Sequence, residues 1–180
     1  MLEPSDLYPA VFLDRDGTLM EEVGYCGNPA DVRVYPGIPG ALEELRLAGF
    51  KLIVVTNQSG VARGYFTEAD YYAVHAEFLR QLQPARLDGT YFCADDPDHP
   101  SFRRKPNPGM LLEAAAAHHV DLSRSFMIGD RGLDIEAGRA AGVRTVLVET
   151  LPGDPQLQSQ PDAKVKDLVA AAEWILRNRS

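Results

Sequence analysis

Short, strand-like apolar runs alternate with amphipathic helical patterns along the chain, and this alternation constrains the fold more than any other feature. Runs such as Lys51 to Val55 (KLIVV) carry consecutive apolar residues rather than an in-out alternation. A strand that is apolar on both faces must be covered on both faces. That requirement points to a parallel sheet between two helix layers. The predicted strands are Ala10 to Leu13, Lys51 to Val55, Thr90 to Cys93, Ser125 to Ile128 and Val143 to Val148, with a short sixth around Ala163 to Val165. The predicted helices are Gly37 to Leu47, Thr67 to Leu82, Pro108 to about Val120 with Asn107 as cap, Leu133 to Ala141 closed by Gly142, and Lys164 to Arg177. Thr67 and Asp70 stand at capping-box spacing, and Pro108 suits a first helical turn. A Pro/Gly/Gln-rich loop runs from Leu151 to Pro161.

The expected fold is thus α/β: a three-layer, Rossmann-like parallel sheet with helices on both faces. At 180 residues, 45% of them apolar, the chain suits one domain, 1–180, with a substantial core. A net charge of −8 argues against a surface that coats nucleic acid or an anionic membrane. It leaves room for a small anionic substrate, because a bound metal and a few basic side chains reverse the local field. The two cysteines, Cys26 and Cys93, do not make a disulfide framework. No signal-peptide pattern and no membrane-length apolar run is visible, so the expected setting is cytoplasmic.

Ligands of open α/β sheets sit beyond the carboxyl ends of the strands. The first strand ends in Asp14-Arg15-Asp16-Gly17-Thr18, the second in Thr56-Asn57-Gln58-Ser59-Gly60 and the fourth in Gly129-Asp130, with Asp134 following. The loop after the third strand ends in Arg103-Arg104-Lys105-Pro106. Taken singly, each reads as turn chemistry or solvated charge. Together they gather carboxylates, a hydroxyl and cations at one sheet edge. The irregular stretches Met20 to Pro36 and Ala94 to Asn107 are candidate walls.

VFLDRDGTL, VVTNQSG, RKPNPGM and IGDRGLD resemble, in order, the motifs of the haloacid dehalogenase superfamily. The strings NQSGVARGYFTE and RKPNPGMLLEAA are similar to its subgroup containing heptose-bisphosphate and histidinol phosphatases. The resemblance covers roughly Pro9 to Thr150. It implies a capless haloacid dehalogenase-like phosphatase that forms an aspartyl-phosphate. Asp14 would be the nucleophile and Asp16 the acid that protonates the leaving oxygen and then the base for water. Thr56 and Lys105 would stabilise the phosphoryl group. Asp14, the Asp16 carbonyl and Asp130 would ligate Mg2+, an oxygen-seeking ion, with Asp134 supporting the ligands from behind. Substrate contacts transfer to Glu22, Val23, Gly24, Tyr25, Asn57, Gln58, Ser59, Arg104 and Arg131. A guanidinium pair suits a second phosphate. Arg63 reads as surface charge.

The chain departs from the subgroup in one loop. Many members hold a structural zinc with Cys-x-His and Cys-x-Cys before the catalytic lysine. Here only Cys93 matches; Asp95, Ser101 and Arg103 take the other places. Zinc is not expected. The loop is expected to be held by Pro97, Pro100 and Pro106 and by packing of Phe102. The spacings leave no room for a large cap. The implied substrate is a small phosphorylated metabolite. Heptose 1,7-bisphosphate leads, histidinol phosphate follows, and nucleic-acid 3′ ends come after. Neither nucleic acid nor membrane is an expected partner, and a monomer is expected. A binding protein without catalysis is disfavoured by the complete set Asp14, Asp16, Thr56, Lys105 and Asp130.

Overall fold

In the computed structural model, which describes residues 7–149 and 158–179, six strands form one sheet. They are β1 (Ala10–Leu13), β2 (Lys51–Asn57), β3 (Gly89–Cys93), β4 (Phe126–Gly129), β5 (Arg144–Val148) and β6 (Ala163–Val165). The order is β3-β2-β1-β4-β5-β6, and every pairing is parallel. The chain first builds outward from β1 through β2 to β3. It then returns to place β4 on the other side of β1. The order therefore reverses between β1 and β4, and a crevice opens there at the carboxyl ends.

The strand residues sort by parity. Val11, Leu13, Leu52, Val54, Phe126 and Ile128 join one core with helices α1 (Ile38–Leu47), α2 (Glu68–Leu82) and α5 (Leu168–Arg177). Ala10, Phe12, Ile53, Val55 and Met127 join the other with α3 (Gly109–His118) and α4 (Gly132–Ala141). Both faces of the central strands are dry, as the unbroken apolar runs require.

Several boundaries move for identifiable reasons. β2 extends through Thr56 and Asn57 because these residues pair with Phe92 and Cys93 of β3. Thr67 caps α2 in the expected capping box, with Asp70 answering it. Asn107 does not cap α3; its amide donates to the Ser101 carbonyl at 3.0 Å, and Pro108 takes the cap position. The last helix begins at Leu168 rather than Lys164. β6 absorbs the first residues, and the Asp167 carboxylate accepts from the Ala170 N–H at 2.8 Å. Most of the expected loop Leu151 to Pro161 lies outside the described residues.

α2 carries a half-buried titratable group. His75 stacks on Tyr71, with ring centroids 5.9 Å apart, and its Nδ1 has no hydrogen-bond partner. Burial, aided by the Arg15 charge, depresses its pKa to about 4. The unfolded chain then binds a proton more readily than the folded one between about 6.5 and about 4. Stability supplied by neutral His75 is therefore present above that window and is lost as pH falls through it. Chemical denaturation from pH 7 to pH 4 should show wild type losing more stability than His75→Gln. Equal slopes for the two proteins would contradict this assignment.

Candidate active site

The crevice between β1 and β4 is built from strand ends. The Asp14 N–H donates to the Ile128 carbonyl at 2.9 Å, so the β1–β4 ladder carries through to the first carboxylate. Asp130 follows β4 directly. Gly17 bends the chain back with φ +84°, and any Cβ there would overlap the Asp130 carboxylate. Glycine is required on both counts.

Lys105 reaches this point from the loop after β3. Its ammonium donates to Asp14 Oδ1 at 2.7 Å, Asp134 Oδ1 at 2.6 Å and the Val55 carbonyl at 2.8 Å. All three donors are used, and the side chain is buried. Asn57 fixes the lysine backbone from β2. Its Nδ2 donates to the Lys105 carbonyl at 3.0 Å, and its Oδ1 accepts from the Lys105 N–H at 3.1 Å. Asp134 in turn accepts from the Arg131 N–H at 3.1 Å through Oδ2. It thus supports the lysine from behind.

One ammonium faces several carboxylates here. Burial opposes the charge on Lys105, but Asp134 and Asp14 outweigh it and hold its pKa above the ordinary lysine value. Burial pushes Asp14 well up; Lys105 works against that shift, and Asp134, Asp130 and Asp16 add to it. Burial, reinforced by Asp134, lifts Asp130 to about 7. Both Asp130 oxygens are buried without a hydrogen-bond partner. Two orphaned carboxylate oxygens in such a place call for a cation. Asp14, Asp130 and Asp134 each offer an oxygen within 4.8 Å of the others. This all-oxygen set suits a hard divalent ion such as Mg2+.

Above the carboxylates lies a cavity of about 360 Å³. The expected residues Asp14, Asp16, Glu22, Gly24, Tyr25, Thr56, Asn57, Gln58, Ser59, Arg104, Lys105 and Arg131 all line it. Val23 does not; its side chain is exposed elsewhere. Asp130 lies beneath the cavity floor with a fully buried side chain. Leu133, Asp134 and Gly60 also contribute to the lining. Gln58, besides lining the cavity, binds two of its neighbours. It is buried, and its Nε2 donates both to Asp16 Oδ2 and to Thr56 Oγ1, each at 2.8 Å. Because Thr56 accepts from Gln58, its own O–H is free to donate into the cavity. Arg104 is anchored by an Nη1 donation to the Asp95 carbonyl at 2.9 Å. Arg131 stands 3.5 Å from Glu22 and 4.0 Å from Asp130.

The loop before Lys105 is not held by Phe102, whose side chain is 63% exposed. It is pinned by polar contacts instead. The Ser101 N–H donates to Asp95 Oδ2 at 2.9 Å, and the Gly109 N–H donates to the Phe102 carbonyl at 3.1 Å. Arg63 does not line the cavity. It leans toward Asp96 of this loop at 3.7 Å, with both side chains a third exposed.

A HAD-hydrolase-like family model matches residues 102–171. The chain is 43% identical to the D-glycero-D-manno-heptose-1,7-bisphosphate 7-phosphatase of Thermosynechococcus vestitus, over 93% of this chain and 95% of that protein. It is 42% identical to the D-glycero-beta-D-manno-heptose-1,7-bisphosphate 7-phosphatase of Escherichia coli K12, over 94% and 89% respectively. The D,D-heptose 1,7-bisphosphate phosphatase of B. bronchiseptica, solved with magnesium and phosphate, superposes with a TM-score of 0.85. That structure shares 33% identity, over 94% of this chain and 99% of its own. The chain belongs to the haloacid dehalogenase-like phosphatases and is a phosphoric monoester hydrolase. The relatives named for a heptose bisphosphate are matched along nearly their whole length.

Mg2+ should raise the melting temperature of the wild-type protein by binding the folded state alone. Asp130→Asn removes a charged oxygen ligand and should abolish most of that increment, read by calorimetry without substrate. An undiminished increment in the variant would place the ion elsewhere.

Proposed function

We propose that this phosphatase removes the 7-phosphate of D-glycero-D-manno-heptose 1,7-bisphosphate through a phosphorylated Asp14. The observation that carries the reading is the Lys105 ammonium on Asp14 and Asp134, beside an Asp130 with two unpartnered oxygens. Asp14, Asp130 and the Asp16 carbonyl would hold Mg2+, which would neutralise phosphate charge and make phosphorus electrophilic. An Asp14 carboxylate oxygen attacks phosphorus while Asp16 gives its proton to the leaving sugar oxygen. Asp16 then takes a proton from the water that attacks the acyl phosphate, and Asp14 and inorganic phosphate are released. The Thr56 hydroxyl donates to a phosphoryl oxygen. Lys105 keeps Asp14 aimed and offsets the charge that grows during transfer.

Arg104 and Arg131, both at the cavity wall, suit the second phosphate of a bisphosphate. This favours the heptose over histidinol phosphate, whose cationic amine would prefer a free carboxylate. Glu22, the carboxylate at that wall, already faces Arg131. Glu22, Gly24, Tyr25 and Ser59 would contact the sugar, with Val23 contributing at most through its backbone. The hydrogen-bonded loop before Lys105 supports a zinc-free protein. The chain would act in carbohydrate metabolism as one domain and a monomer. Two buried free thiols, Cys26 and Cys93, fit a cytoplasmic setting. Among the described residues, no helix is long and apolar enough to cross a membrane.

Turnover of a panel of heptose, hexose and histidinol phosphates and 3′-phosphorylated oligonucleotides, with and without Mg2+, tests the assignment. The heptose bisphosphate should lead, and a preferred oligonucleotide would overturn it. Asp14→Asn should abolish turnover while keeping cooperative unfolding. Arg104→Ala should reduce the preference for bisphosphate over monophosphate by about tenfold or more, the scale of a lost charged hydrogen bond. Metal analysis of protein prepared without chelator should find no stoichiometric zinc. One tightly held equivalent would refute the zinc-free reading.

A further inference from the structure

Arg15, between the two aspartates of the first loop, is completely buried, with 0% exposure. Its backbone roots the turn that follows β1. The Leu19 and Met20 N–H groups donate to its carbonyl at 2.9 and 3.1 Å. Its side chain reaches α2, where the guanidinium carbon lies 5.5 Å from the centroid of the Tyr71 ring. Tyr71 is itself stacked on Phe92, with centroids 4.1 Å apart, so the cation rests against a fixed aromatic wall.

From that wall the guanidinium grips one carboxylate. Nε donates to Asp16 Oδ2 at 3.0 Å and Nη2 to Asp16 Oδ1 at 3.2 Å, while Nη1 has no partner. Stability is a poor reason for such a residue. A buried ion pair gains little over apolar packing, and an unpartnered buried N–H costs free energy. A two-pronged grip does fix the plane of a carboxylate. Gln58 completes the restraint. Oδ2 accepts from both Arg15 and Gln58, whereas Oδ1 accepts from Arg15 alone. Oδ1 therefore keeps the open lone pair, on a side chain that lines the cavity.

We propose that Arg15 is a positioning residue for the acid–base step, orienting the Asp16 carboxyl so that Oδ1 carries the transferred proton. The inference rests on Asp16 being the acid and base. In the first step the Oδ1 proton moves to the sugar oxygen as the phosphorus–oxygen bond breaks and the bond from Asp14 to phosphorus forms. In the second, Oδ1 accepts a proton from the water that attacks phosphorus and breaks the bond to Asp14. With no cap to close over the site, the carboxyl is placed by the body of the fold. Arg15 is the part of that body which touches both of its oxygens.

The test exploits leaving groups. A sugar alkoxide needs a proton as it leaves; p-nitrophenolate does not. Arg15→Lys, Arg15→Met and Gln58→Met are compared with wild type on p-nitrophenyl phosphate and on the best sugar phosphate of the panel, with Asp16→Asn as benchmark. Misplacing the acid should cost about 10²-fold or more in kcat on the sugar phosphate and less than about tenfold on p-nitrophenyl phosphate. Arg15→Lys, which keeps one donor, should fall between wild type and Arg15→Met. Gln58→Met keeps the buried ion pair and so bears on the same ratio even where an Arg15 variant fails to fold. Equal losses on both substrates in the variants, while Asp16→Asn discriminates, would reduce Arg15 to a packing role. An Asp16→Asn protein that fails to discriminate would remove Asp16 as the acid and the proposal with it.

Discussion

The site depends on one buried ammonium. Lys105 sits where three carboxylates crowd the gap between β1 and β4, and it touches two of them together with a strand carbonyl. Without a cation, Asp14, Asp130 and Asp134 would repel one another in a region with little water to screen them. The lysine offsets part of that repulsion, and the unpartnered oxygens of Asp130 mark what it leaves uncompensated. The protein thus carries one fixed positive charge and a place for a second. That is the electrostatic setting a dianionic phosphate requires.

Around this centre, rigidity comes from polar clamps rather than from a covering domain. Gln58 ties Asp16 to Thr56 through a single amide nitrogen, so the carboxylate and the hydroxyl cannot drift independently. Asp134 ties the lysine to the first turn of α4. The wall before Lys105 is held by Asp95 and Asn107 on the backbone of Ser101. The Asp16–Gln58 and Lys105–Asp134 clamps join segments distant in sequence, so the fold must be complete before the site exists, whereas the Ser101 contacts are local to their loop.

The sheet and the gathering of polar side chains at its edge were legible because they follow from local rules. Apolar runs such as KLIVV admit few burial patterns, and carboxylates beyond strand ends share an edge once the sheet is parallel. What escaped was the direction of individual side chains. Nothing in the sequence marks Arg15, yet its side chain is fully buried and grips Asp16. Gln58 reads as a substrate contact, and besides lining the cavity it ties Asp16 to Thr56. Phe102 reads as packing and projects to solvent, because the turn around it is closed by backbone hydrogen bonds. Asn107 reads as a helix cap but serves the preceding turn. For Arg15 and Gln58 the deciding partners, Tyr71 and Asp16, are distant in sequence, and one sequence carries no trace of them; for Phe102 and Asn107 the turn around Ser101 decides.

The paired hydrogen bonds between Asn57 and the Lys105 backbone imitate a rung of a sheet, with a side-chain amide standing in for a neighbouring strand. The address of the lysine is therefore written in β2, not in the segment that delivers it. That segment becomes a replaceable part, free to be knotted by a metal, stapled by prolines or laced by hydrogen bonds. Whichever fastening it uses, the charge arrives at the same point.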